Sequence, residues 1–292
     1  MATINTFEQL LDECLRRGKR IWQVAQAYQA EWSEVPVNKV RQCAMTSLKA
    51  MKEAIHTGLQ STEMSISGMC GNDCDKLQKR FAVRPAVFGK TFEKIVTYAL
   101  ATSEENIRMG KIVACPTAGS CGIVPSVIVA VSEDFNISEE RQVNALITAG
   151  EIGRIISAKV PLAGAVSGCQ GECGAAAAMA AGAVTQLLGG NPRQVMNAVA
   201  LALKNILGLT CDPVCGLVEV PCVKRNPFMA IIAMTASELA MSGVESKIPL
   251  DEIIDAMDQT GQLMSPALKE SSLGGLARTK TALELQQKLF GR

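Results

Sequence analysis

The stretch that most restricts the architecture is Gly174–Gly190, GAAAAMAAGAVTQLLGG. It is the most apolar part of the chain, yet Thr185 and Gln186 interrupt it, and it is too short and too weakly hydrophobic for a membrane span. Alanine and glycine offer little surface of their own, so such a segment reads as a buried helix with close neighbours. The rest of the chain agrees, with 48% apolar residues but only 4% aromatic ones. The excess is Ala, Met, Val, Leu and Ile, which suits close-packed helices with small residues at their crossings. There is no long alternating pattern, no repeat and no low-complexity tail. The expected fold is mainly α: one compact multi-helix domain over residues 1–292, with an N-terminal helical layer at 1–64 and a core at 65–292 whose loops carry the chemistry.

Helix signals punctuate the chain. Thr6-Phe-Glu-Gln9 is a capping box opening a helix to Arg17, stopped by Gly18. Helices follow at Ile21–Trp32 and, after Pro36, to Gly58. Pro85 is expected to start another through Thr102, with Ser103-Glu-Glu-Asn106 capping a short one to Gly110. Ser138 caps a helix to Lys159. Asn191-Pro192 with Gln194 caps one to Leu207, with Gly208 as its stop. Later helices are expected from Asn226 to Ser242, Leu250 to Met264 and Thr279 to Phe290. His56, the only histidine, falls in the last turn of the third helix, where a cation favours the dipole.

With 29 basic and 28 acidic residues, the chain carries no electrostatic footprint for nucleic acid or an anionic membrane. Small molecules or other proteins are the expected partners. The first residues, MATINTFEQLLDECLRRGKR, hold no apolar run behind a basic one, so a cytoplasmic location is expected. Eleven cysteines, an odd number, then read as reduced thiols serving as ligands or core residues.

Chemistry gathers in three segments. Gly208–Asn226, GLTCDPVCGLVEVPCVKRN, joins three thiols, two prolines and a Lys-Arg-Asn run. Gly164–Gly174, GAVSGCQGECG, has glycines that allow close backbone approach to a ligand. In Lys111–Val127 an apolar run leads into Pro116-Thr-Ala-Gly-Ser120 and a new helix, an entrance whose amides and hydroxyls suit a carboxylate. A further loop, Ser65–Asp75, holds Cys70 and Cys74 at a spacing that pairs them if helical. Two ligand sets remain open from spacing alone. Cys169, Cys211 and Cys222 would leave a metal with one open position, whereas Cys169/Cys173 with Cys211/Cys215 would make a four-thiol zinc site.

The segments KIVACPTAGSCGIVP, GCQGECGAAAAMAAG, LGLTCDPVCGLVEVPCVKRN and SSLGGLA resemble, in order and spacing, the catalytic alpha part of the bacterial iron–sulfur-dependent L-serine dehydratases. The similarity runs from about Ser65 onward. The resemblance implies a [4Fe–4S] cluster on Cys169, Cys211 and Cys222, with Cys173 and Cys215 returned to packing because the family carries small apolar residues there. It implies L-serine ammonia-lyase chemistry, with water lost to give aminoacrylate and then pyruvate and ammonia. Lys224, Arg225 and Asn226 are the implied catalytic wall, and Thr117 and Ser120 the implied substrate contacts. A small amino-acid substrate, a separate beta subunit and an oligomeric assembly are the implied partners. Two features depart from the family. Lys159-Val-Pro-Leu-Ala-Gly164 replaces a polar run, which keeps L-cysteine or L-threonine open as substrate, and the chain ends Phe290-Gly-Arg without the terminal cysteine that caps the cluster in single-chain relatives. A zinc-stabilised module that binds a partner chain is the non-catalytic alternative.

Overall fold

Local chemistry sets most helix boundaries. The computed structural model describes residues 4–291, and among them lie thirteen α-helices and no strand. Helix α1 (Phe7–Arg17) opens on the expected reciprocal cap: Thr6 Oγ1 accepts the Gln9 amide at 3.2 Å, and Gln9 Oε1 accepts the Thr6 amide at 3.3 Å. Gly18 ends it in the left-handed region at φ 60°. Helices α2 (Ile21–Trp32) and α3 (Val37–Gln60) follow. α3 runs two residues past Gly58, because that glycine is a crossing point and not a stop. A Cβ there would lie 2.1 Å from the Ala101 carbonyl oxygen of the facing helix.

The next region corrects the sequence reading. Helix α4 (Asp73–Val83) was not expected, and Cys70 precedes it, so Cys70 and Cys74 do not share a helix face. Helix α5 (Lys90–Ile107) begins after Gly89 instead of at Pro85 and passes straight through Ser103. Ser103 is no cap: it is buried and its Oγ donates to Ala99 O at 2.8 Å. The adjacent Glu104 instead caps α4 from across the packing, its Oε1 accepting the amides of Asp73 at 2.7 Å and Cys74 at 3.2 Å.

Beyond a 3₁₀ turn at Ala118–Ser120 come α6 (Ile123–Asp134), α7 (Glu139–Lys159) and the short α8 (Gly164–Ser167). A π turn at Gln170–Gly174 feeds α9 (Ala175–Leu187), the alanine-rich helix. It is the hub of the fold, packed on α6, α7, α10 (Pro192–Lys204) and α11 (Cys222–Met241). Small residues make this possible. A Cβ on Gly182 would lie 2.2 Å from Ile152 Cδ1 of α7 and 3.1 Å from Val199 Cγ2 of α10. Around the hub, α1 packs on α10, α2 on α7, and α3 on both α5 and α7.

α10 ends three residues before the expected Leu207, and the chain turns through Gly208 at φ 84°. α11 starts at Cys222 and so absorbs the Lys-Arg-Asn run, with Pro227 inside it. Helix α12 (Leu250–Leu263) leads into 3₁₀ turns at Pro266–Leu268 and Gly275–Arg278, and α13 (Lys280–Phe290), capped by Thr279, follows. Among the described residues no helix is long and apolar enough to cross a membrane.

Candidate active site

Three separate connections bring their cysteines to one end of α9. Cys169 precedes the π turn, and its neighbour Gln170 fastens that turn to the segment before Cys211. The Gln170 amide donates to Leu209 O at 3.0 Å, its Oε1 accepts the Gly208 amide at 3.0 Å, and its Nε2 donates to Met257 O at 2.9 Å. Cys211 is held from the other side by the loop after α12: its amide donates to Leu268 O at 2.9 Å, and its carbonyl accepts the Glu270 amide at 2.6 Å. Cys222 is the first residue of α11. All three are buried.

The Cys169 thiol lies beside the thiols of Cys173 and Cys211 and the Arg225 guanidinium. Hydrogen bonds from Cys173 and Cys211, joined by Arg225, hold Cys169 well below its ordinary range. Cys211 shifts upward as the donor to Cys169, and burial, aided by the Cys169 charge, pushes Cys222 up to about 12. Arg225 is firmly placed, Nη1 donating to Thr210 O and Nη2 to Asp212 Oδ1, each at 2.9 Å. Asp212 Oδ2 accepts the Leu276 amide at 2.8 Å, so the SSLGGLA segment closes over this pair. Gly275 lies so close that a Cβ would be 2.4 Å from that oxygen.

The Lys-Arg-Asn run diverges. Of its three side chains, Arg225 is the one that lies beside a candidate ligand thiol, Cys169. Asn226 is fully buried: its Oδ1 accepts the Gly122 amide at 2.9 Å, and its Nδ2 donates to Gly119 O at 2.8 Å and Cys222 O at 3.0 Å. It thus ties the start of α11 to the Thr-Ala-Gly-Ser turn. Lys224 faces the Ser65–Asp75 loop, with Nζ 2.9 Å from Asp73 Oδ2 and 4.0 Å from Cys70 Sγ. The same loop is docked through Glu219, whose Oε2 accepts the hydroxyls of Ser65 at 2.6 Å and Ser67 at 2.8 Å. His56 is exposed and paired with Gln60 at 3.0 Å.

Thr117 and Ser120 also separate. Ser120 is buried and folded back on its own turn, its Oγ 3.1 Å from Thr117 Oγ1 and 3.3 Å from Thr117 O. Thr117 reaches the thiol side, where its hydroxyl neighbours Glu172. Glu172 is a site residue that sequence reasoning passed over. Burial first, then the negative charges of Cys169 and Glu270, pushes its carboxyl up to about 7, and its Oε2 lies 3.8 Å from Cys211 Sγ. A lone acidic residue inside the glycine-rich GCQGECG was the available signal. Gly164, the end of the departing Lys159–Gly164 run, lets the backbone close on this corner, since a Cβ there would lie 2.7 Å from Cys211 Sγ and 2.8 Å from Glu172 Oε2.

Of the two remaining thiols, Cys173 is buried against Cys169, whereas Cys215 is only half-buried, at φ 59°, with its Sγ 4.0 Å from Ala282 O. Soft, buried thiols on glycine-lined turns are the donor set that fits an iron–sulfur cluster. Among the described residues no three His, Cys, Asp or Glu side chains close on one point as a single ion would require.

A family model described as serine dehydratase alpha chain matches residues 16–277. A Bacillus subtilis (strain 168) protein named "Probable L-serine dehydratase, alpha chain" is 46% identical over 245 residues, 84% of this chain and 81% of that one. The "L-serine dehydratase, alpha chain" of Peptoniphilus asaccharolyticus is 36% identical over 284 residues, covering 97% of both. The "L-serine dehydratase TdcG" of Escherichia coli (strain K12) is 44% identical over 183 residues, 62% of this chain but 40% of that protein.

Proposed function

We propose, from the premise that this chain belongs to the serine dehydratase alpha chain family, that it is the alpha subunit of an L-serine ammonia-lyase, converting L-serine to pyruvate and ammonia. The observation that carries the site reading is the meeting of Cys169 and Cys211 beside Arg225, with Cys222 close enough to feel the Cys169 charge. These three cysteines would hold a [4Fe–4S] cluster. Once bound, such a cluster supplies a Lewis acid at an iron without a protein ligand, which eases departure of a hydroxyl.

The chain's own residues supply placement and charge. Arg225, locked to Asp212, offsets the negative charge of the thiolates and fixes the Cys169 turn. Lys224, the more exposed cation one turn into α11, is the candidate for the substrate carboxylate, and the Asp73 pair holds it at the site edge. Asn226 sets the distance between the Thr117 turn and α11. Burial of the thiols keeps water from them. Loss of water from L-serine gives aminoacrylate, which tautomerises and hydrolyses to the products. A separate beta subunit completes the enzyme, a reading supported by the alpha-chain names of the relatives. Eleven free cysteines suit the reducing cytoplasm.

Anaerobic reconstitution of the chain with its beta partner, iron and sulfide tests this. The expected product is brown, carries about four irons per chain and turns over L-serine faster than L-threonine or L-cysteine. A colourless, oxygen-indifferent protein holding one zinc would overturn the reading, and faster turnover of L-cysteine or L-threonine would reassign the substrate.

A further inference from the structure

An amino acid offers a site two charges of opposite sign, and the basic residues here answer only one of them. Lys224 and Arg225 suit a carboxylate. Of the acids at the thiols, Asp212 is already committed, with Oδ1 to Arg225 and Oδ2 to the Leu276 amide. Glu172 is different. Its partners are a hydroxyl, Thr117, and a thiol, Cys211, both uncharged donors. It forms no ion pair among the described residues, although it is half-buried, with the Cys211 thiol 3.8 Å away and a second carboxylate, Glu270, near enough to act on it. A half-buried carboxylate in that position lacks the cation that would offset its partial desolvation. It lies on the π turn directly after Cys169, and Gly164 leaves the backbone bare beside its Oε2.

We propose that Glu172 is the subsite for the α-ammonium group of the substrate, with Thr117 fixing the carboxylate and Glu270 adding negative field from the facing loop. The inference rests on the ammonia-lyase reading and sharpens it: this carboxylate, between the Thr117 turn and Cys211, selects amino acids over the corresponding carboxylic acids.

The test uses the reconstituted holoenzyme with its beta partner and two unreactive probes. L-Alanine keeps the ammonium and carboxylate but has no hydroxyl to lose, and propanoate lacks the ammonium as well. Wild type is expected to bind L-alanine more tightly than propanoate. Glu172→Gln should weaken L-alanine by about tenfold or more, leave propanoate unchanged, and keep the wild-type iron content and visible absorption, while Glu172→Asp should fall between. A wild type with no L-alanine preference, a Glu172→Gln protein that keeps the preference, parallel loss for both probes, or loss of iron would each overturn the subsite. An iron-loaded wild type that turns over L-serine while Glu172→Gln keeps its preference would sink only this inference. A wild type without iron or turnover would sink the reading beneath it.

Discussion

Asn226 commits its whole amide to neighbours, and that decides what replacing it does. Asn226→Ala would strand the buried Gly122 amide and Gly119 carbonyl. At about 1–3 kcal/mol for each orphaned group, a loss of about 2–6 kcal/mol is expected in urea unfolding, together with reduced activity. The sequence presents Lys224, Arg225 and Asn226 as one polar wall because they are adjacent. In the structure they open α11, where consecutive residues turn to different faces. One therefore meets the thiols, one the Ser65–Asp75 loop and one the Thr117 turn. The cysteines separate in the same way. Cys169→Ser, Cys211→Ser and Cys222→Ser should each lower the iron bound after anaerobic reconstitution, whereas Cys215→Ser, on its half-exposed turn, should retain it; iron loss in Cys215→Ser would contradict the assignment.

Helix starts show how far local sequence reaches. The caps at Thr6, Asn191 and Thr279 are legible because donor and acceptor sit within three residues of each other. The cap on α4 is not, because its acceptor is Glu104 on α5. That carboxyl has a measurable signature. Burial, opposed by the Asp73 and Cys74 amides, holds it above its ordinary value of 4.5. The folded chain then keeps this proton at pH values where the unfolded chain has lost it, so the associated stability is full below 4.5 and is lost as pH rises through the folded value. Glu104→Gln keeps an oxygen for the two amides but cannot ionise. It should gain stability relative to wild type as pH rises above 4.5, read from urea midpoints; a constant difference would refute this. Crossings follow a different rule. Gly182→Ala must push on Ile152 in the centre of the fold and should cost about 1–3 kcal/mol, even though alanine favours helices.

At the scale of the molecule, the helices meet through α9, and the thiols gather at its mouth. Anaerobic removal of the cluster by a chelator should abolish turnover while leaving the far-ultraviolet circular dichroism spectrum unchanged, unlike a zinc-dependent module, which unfolds on chelation. The mainly helical class was readable from the alanine-rich stretch, because small residues without aromatic bulk leave few other ways to fill a core. The site was readable only in its thiols. Glu172 and Asp212 gain their meaning from partners on other loops, which spacing does not reveal. One of those contacts also sets a schedule for synthesis. Asp212 is clasped by Leu276 as well as by Arg225, so a nascent chain has exposed all three cluster cysteines well before the latch on their counter-charge leaves the ribosome. Loading of the proposed cluster would then come late. A ribosome-bound chain stalled with Leu276 still in the exit tunnel should hold iron poorly, whereas release of the last turn and α13 should restore it.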